Sequence, residues 1–275
     1  MTLYNFLKLG FRSNLSKVLG LILLGVSLHS CKDPVVATPN NPVVDEGWDT
    51  VTNFNGLIVP QTGKLNFKVN YSFDGQPIVF NSKKYINAAN DTFTIAEIRH
   101  YFTNVTLIKP NGDRVNLQNY HLMDASVANT RSITIDNVPP GNYVGMTILL
   151  GVDSMKNRGG LQEGALDPAW SMFWTWNTGY IFYRINGAVN NGRSYSFDVG
   201  GDEHAPYIEL DLSTYKVKSK VPSFELMLDA NEMFQNPEVY SFEKDGYVIH
   251  SNTDPGVNKM AKNMRDMLKI TSLMP

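Results

Sequence analysis

The sequence predicts a mainly β protein: an antiparallel β-sandwich with Greek-key-like connections, few short helices and a C-terminal helix. Three observations carry this. Apolar residues recur with period two in many short stretches, turn residues separate those stretches, and Tyr, Phe, Asn and Gly are abundant relative to charged residues. Ten or so short strands with turns between them suit a sandwich or a barrel.

The clearest strand is 65–73. Leu65, Phe67, Val69, Tyr71 and Phe73 alternate with Asn66, Lys68, Asn70 and Ser72, which buries one face and solvates the other. Phe93 and Ile95 open a second strand, and Val105 and Leu107 a third. Asn111-Gly112-Asp113 turns the chain into Val115-Leu117. Ile133 and Ile135 precede the turn Pro139-Pro140-Gly141, after which Val144, Met146, Ile148 and Leu150 alternate again. Further strands read at 180–186, 194–199, 207–213 and 222–228. Asp254 as N-cap and Pro255 at the first helical position open the C-terminal helix. Val257, Met260, Met264, Met267 and Leu268 share one face of it. Methionine at that spacing reads as core filling rather than a metal stripe. Short helices are expected over 152–157 and 229–235.

Ahead of the sandwich lies an address. Lys8, Arg12 and Lys17 precede the uncharged run 18–28, and Leu28-His29-Ser30-Cys31 follows. A basic region, an apolar run and small residues at a cut site make a secretory signal. The run is ~11 residues, short of the ~20 needed to span a bilayer. Leu28 and Ser30 before Cys31 resemble the bacterial lipobox, in which the cysteine becomes the lipidated N-terminus. The expected organisation is a signal peptide over 1–30, a flexible tether over 31–52 and a β-sandwich domain over 53–275. Lipid on Cys31 would hold the protein to a membrane through many buried methylenes, at the periplasmic face or the outer surface of the outer membrane. The tether carries Pro34, Pro39 and Pro42 and little periodicity.

The signal carries three basic residues and no acidic one, so cleavage moves the net charge from −2 to −5. No basic stripe is visible, which speaks against nucleic acid as a partner. Cys31 is the only cysteine. Once lipidated it leaves the domain without disulfide or thiolate, so any metal would rest on His, Met, carboxylate or a modified side chain. There is no G-x-S-x-G, no H-E-x-x-H, no glycine-rich phosphate loop and no EF-hand spacing. No motif supports an enzyme, although a hydrolase with a carboxylate site would leave none, and the expected function is not enzymatic.

Four histidines remain after cleavage: His100, His121, His204 and His250. None adjoins another, and a lone histidine more often has a structural role. In Asp198-Val199-Gly200-Gly201-Asp202-Glu203-His204, an extended backbone would put Asp202 and His204 on one side. The most unusual segment is Trp170 to Tyr180, where Trp170, Trp174 and Trp176 fall within seven residues. As packing, Met172, Trp174 and Trp176 share one face of a strand. As chemistry, indole, thioether and imidazole together suit copper better than calcium or magnesium.

The segment Met172-Phe173-Trp174-Thr175-Trp176-Asn177-Thr178-Gly179-Tyr180, with Phe182 and Gly187, resembles the central motif of the methanobactin-associated, periplasmic copper-binding (MbnP-like) family. The stretch from Phe93 to Val105, Tyr120 to Asp124, Gly141 to Tyr143, Leu150 to Asp153 and Gly164 to Pro168 match that family's pattern in order. The resemblance covers about 65–270. It implies a β-rich exported copper-binding protein acting in metal uptake, storage or handover. It also implies a dihaem redox partner or an outer-membrane transporter, and a tryptophan oxidised to kynurenine that binds copper beside histidines. Trp174 and Trp176 are the positions in the matching motif, and the candidate metal residues beside them are His100, Asp198, His204 and His250. One position departs. Where the pattern implies a histidine, this chain reads Phe197-Asp198-Val199-Gly200. That leaves open a different metal, a displaced ligand such as His204, or a metal-free binding or scaffold protein whose Trp cluster is structural.

Overall fold

A computed structural model describes residues 56–59, 63–174, 179–214, 216–217 and 222–274. Cys31, the signal peptide and the tether lie outside the described residues, as does Trp176. Among those described, no helix is long and apolar enough to cross a membrane.

Two large sheets form the sandwich. In one, the path runs Tyr207–Asp211, Gly145–Leu150, Thr92–Ile108, Gly179–Val189, Ser194–Gly200, Val248–Ile249, with short strands added along it. In the other, Leu268–Met274, Ser223–Asp229, Gly63–Phe73 and Gln76–Pro77 lie in that order, and Ser132–Val138 also pairs with Gly63–Phe73. A small third sheet joins Gly56–Val59 to Gly141–Tyr143 and Lys216–Val217. Most pairings are antiparallel. The long-range pair of Gly63–Phe73 with Ser223–Asp229 is parallel, as are two shorter pairs. Neighbours far apart in sequence are what Greek-key-like connections produce.

The alternating residues of 65–73 supply one half of the core, with Leu65, Phe67 and Val69 at most 1% exposed. They meet Phe93, Ile98, Met146, Ile148, Ile185 and Phe197 of the larger sheet in one apolar cluster. Tyr101, Met172, Trp174, Tyr180 and Phe182 form a second buried cluster with Val152 and Leu166. Tyr101 alternates with His100 and Phe102, so this second cluster covers the opposite face of the same sheet.

The two strands expected around Phe93 and Leu107 are a single strand, Thr92–Ile108. Its register shifts where Asn186 pairs with Glu97 but Gly187 with Ile95, and again where Thr147 pairs with Thr106 but Leu149 with Thr103. Each shift is a bulge with one extra residue, and each flips the side-chain alternation. Asn104, at the second, has φ +49°. The inward positions thus run 93, 95, then 98, 100, 102, then 105, 107, which breaks a period-two pattern read from sequence.

The C-terminus differs as well. The helix is Val257–Asn263, its N-cap is Gly256 at φ +86°, and the chain then enters the strand Leu268–Met274. Asp254 instead closes the preceding turn, accepting from the backbone N–H of His250 and of Ser251. Val257, Met260, Met264, Met267 and Leu268 are all buried in the main core, as core filling requires. The expected helix at 229–235 is a single 3₁₀ turn, Glu232–Phe234. The one at 152–157 is a helical turn, Ser154–Asn157, capped by the Asp153 carboxylate.

Candidate functional site

The candidate metal residues separate into two groups. His100 belongs to the inner face. It is fully buried, its Nε2 lies 2.9 Å from the Tyr71 hydroxyl, and its ring stacks on Tyr183 at 5.7 Å and 13°. Burial pushes the imidazole down to about 3, so the ring is neutral. The other described residues gather around the end of the strand Ser194–Gly200, on or beside the outer face.

There the sheet carries a row of charges. Asp124, Arg99, Arg184 and Asp198 stand opposite one another on four neighbouring strands. Arg184 grips Asp198 at two points, Nε to Oδ1 at 2.6 Å and Nη2 to Oδ2 at 2.9 Å. Arg99 donates through Nε to Asp124 at 3.0 Å and lies 2.8 Å from Glu97. Both guanidinium groups also reach the loop above: Arg99 donates to the Trp170 carbonyl at 3.1 Å, Arg184 to the Ser171 carbonyl at 3.0 Å. Ser171 sits at φ +59°, where the chain turns down into Met172 and Trp174. The row therefore clamps the start of the Trp segment onto the sheet. A fork of this kind matches a carboxylate's two oxygens and its plane.

His250 stands at the end of the row. Half of its side chain is exposed and its Nδ1 lies 3.3 Å from Asp198 Oδ2. His204 is buried, with Nδ1 donating to the Gly200 carbonyl at 2.7 Å and Nε2 facing the Asn258 amide at 3.0 Å. It does not share a side with Asp202, because 202–204 is a 3₁₀ turn rather than extended chain. Asp202 turns instead to Asn157 and Arg158. Trp174 is 1% exposed and packs over Gly200, where an added Cβ would come within 2.7 Å of the indole.

The described residues do not fit a resident copper ion. Asp198 is filled by Arg184, both nitrogens of His204 face protein partners, and His100 lies on the other side of the sheet. No three His, Cys, Asp or Glu side chains among the described residues converge on a point that could hold a metal.

Sequence reasoning missed Arg99 and Arg184, and read Trp170 only as the start of the tryptophan run. The signal was present but ambiguous: Arg184 falls at the period-two positions of Tyr180 and Phe182 on one strand, where an apolar residue would also be expected. Trp170 also walls a cavity of about 540 Å³, bounded by the strand Tyr120–Asp124, the segment 127–133 and the loop 164–170.

The fold and this outer-face arrangement define a β-sandwich protein whose tryptophan segment is clamped to one sheet by paired arginines. The family model described as MbnP matches residues 62–252, and the chain belongs to the MbnP family. The solved structure of MbnP from Methylosinus trichosporium is similar over 71% of this chain and 83% of its own, at a TM-score of 0.47 and 16% identity. No curated protein matches the chain.

Proposed function

We propose that this chain is a non-catalytic, membrane-anchored, extracytoplasmic binding protein of the MbnP family, in which the residues matching copper ligands serve structure. The observation that carries this is the Arg184–Asp198 fork. The one carboxylate of the candidate set already holds a cation that belongs to the chain. The lipobox before Cys31 supports the anchor, and the absence of any catalytic motif in the sequence supports a binding role.

The test is equilibrium dialysis of the full lipidated chain, in detergent, against Cu(I) and against Cu(II). Retention no greater than a buffer blank is expected. Stoichiometric copper that disappears in His204→Ala/His250→Ala overturns the reading. Intact mass of the protein from its native host is expected to show lipid on Cys31 and no oxygen added to tryptophan.

One observation favours the second reading, copper uptake, storage or handover with a dihaem or transporter partner and a kynurenine. His250 is half exposed while its Nδ1 faces a carboxylate, the arrangement by which proteins orient metal-bound imidazoles. Copper retention abolished by His250→Ala alone would select it.

A further inference from the structure

We infer that the cavity walled by Trp170 binds a neutral, planar, largely apolar small molecule that stacks on the Trp170 indole. This rests on reading the chain as a binding protein and names the class of its ligand. Trp170 is 53% exposed, among the largest apolar side chains left in water here. It is nevertheless fixed at both ends: its Nε1–H donates to the Gly164 carbonyl at 2.8 Å and its own carbonyl accepts from Arg99 at 3.1 Å. An exposed indole held in one place has little freedom left to lose when a ligand covers it. Leu122, Val127 and Ile133 add apolar residues to the cavity lining.

The charges in the wall decide the ligand's charge. Arg99 is paired with Asp124 and Glu97. The other Asp124 oxygen accepts from the Ser126 N–H at 2.9 Å and the Ser126 hydroxyl at 2.6 Å. His121 also lines the cavity; burial lowers its pKa, so the ring stays neutral, and its Nε2 has no hydrogen-bond partner among the described residues. An ionic ligand would have to break an existing ion pair to be held, whereas an uncharged one displaces only water. A volume of about 540 Å³ suits a molecule of two or three fused or linked rings.

The probe is N-phenyl-1-naphthylamine, uncharged and planar, with its anionic relative 8-anilinonaphthalene-1-sulfonate as comparison. Both are titrated into the full chain and into two variants in the same detergent, and thermal midpoints confirm that each variant folds. Saturable one-to-one binding of the neutral probe is expected. Trp170→Ala should weaken it at least tenfold, Ala165→Trp, which fills the cavity, should abolish it, and the sulfonate should bind at least tenfold more weakly. No saturable binding, or equal affinity in folded Trp170→Ala, overturns the site. Tighter binding of the sulfonate overturns the ligand class. The copper dialysis is independent of all these results, so failure here and failure of the proposed function are separately visible.

Discussion

Arg184 and Asp198 face each other across neighbouring strands and close a two-point fork, with the carboxylate almost wholly buried and the guanidinium mostly so. The same guanidinium reaches the Ser171 carbonyl. One side chain thereby joins the sheet to the loop that starts the tryptophan segment.

Removing one partner of this fork should be costly. Asp198→Ala leaves a largely buried guanidinium without its counter-ion, and we expect a loss of about 2–4 kcal/mol. Arg184→Met/Asp198→Leu, which removes both charges, should recover more than half of that loss. Urea unfolding of the three proteins checks it; a loss under about 1 kcal/mol for Asp198→Ala would mean that the pair is water-screened.

Acid should weaken the fold through His100. Its folded pKa is lowered to about 3 from 6.5 by burial, so the unfolded chain takes up a proton that the folded chain refuses. The stabilising effect is complete above pH 6.5 and is lost as pH falls towards 3. Between pH 7 and pH 4 the loss is about 3 kcal/mol. His100→Gln lacks this titration. Its stability should fall by correspondingly less than the wild type over the same interval, measured as the difference in urea midpoints.

Gly187 should tolerate no side chain. It lies at the first bulge of the long strand pair, and a Cβ there would fall 2.0 Å from the Thr94 carbonyl oxygen. Gly187→Ala should either fail to fold or lose more than about 2 kcal/mol. Gly145→Ala is the control: its Cβ would meet Ile108 at 3.4 Å, an ordinary contact, and its loss should stay within about 1 kcal/mol. Circular dichroism melts of both proteins decide the matter.

The buried methionines and Trp174 should report on stability and not on metal. Met264→Ala empties a fully buried site in the main core and should cost about 2–5 kcal/mol. Trp174→Phe should cost less, because the ring is shortened rather than removed and the indole N–H has no acceptor among the described residues. Denaturant melts paired with copper dialysis separate the two effects; a change in copper retention without a change in stability would contradict this account.

The sequence by itself determined the fold class and the core of the first long strand. Both rest on local order: turn residues at intervals, and strict alternation from Leu65 to Phe73. The burial of Val257, Met260, Met264, Met267 and Leu268 was legible too, although the helix ends at Asn263 and the last three lie beyond it. The family was legible too, because its motifs recur in linear order.

Only the tertiary structure decided the rest. Two extra residues in Thr92–Ile108 flip the alternation twice, and nothing in the local sequence separates a bulge from a strand end. The helix start moved from Pro255 to Val257 because Asp254 bonds backward into its own turn. Above all, Arg184 sits 14 residues from Asp198 and 85 from Arg99 in the chain, yet antiparallel pairing sets them side by side. Whether Asp198 is free to bind a metal depends on what strand register puts opposite it, and register is a property of the whole sheet.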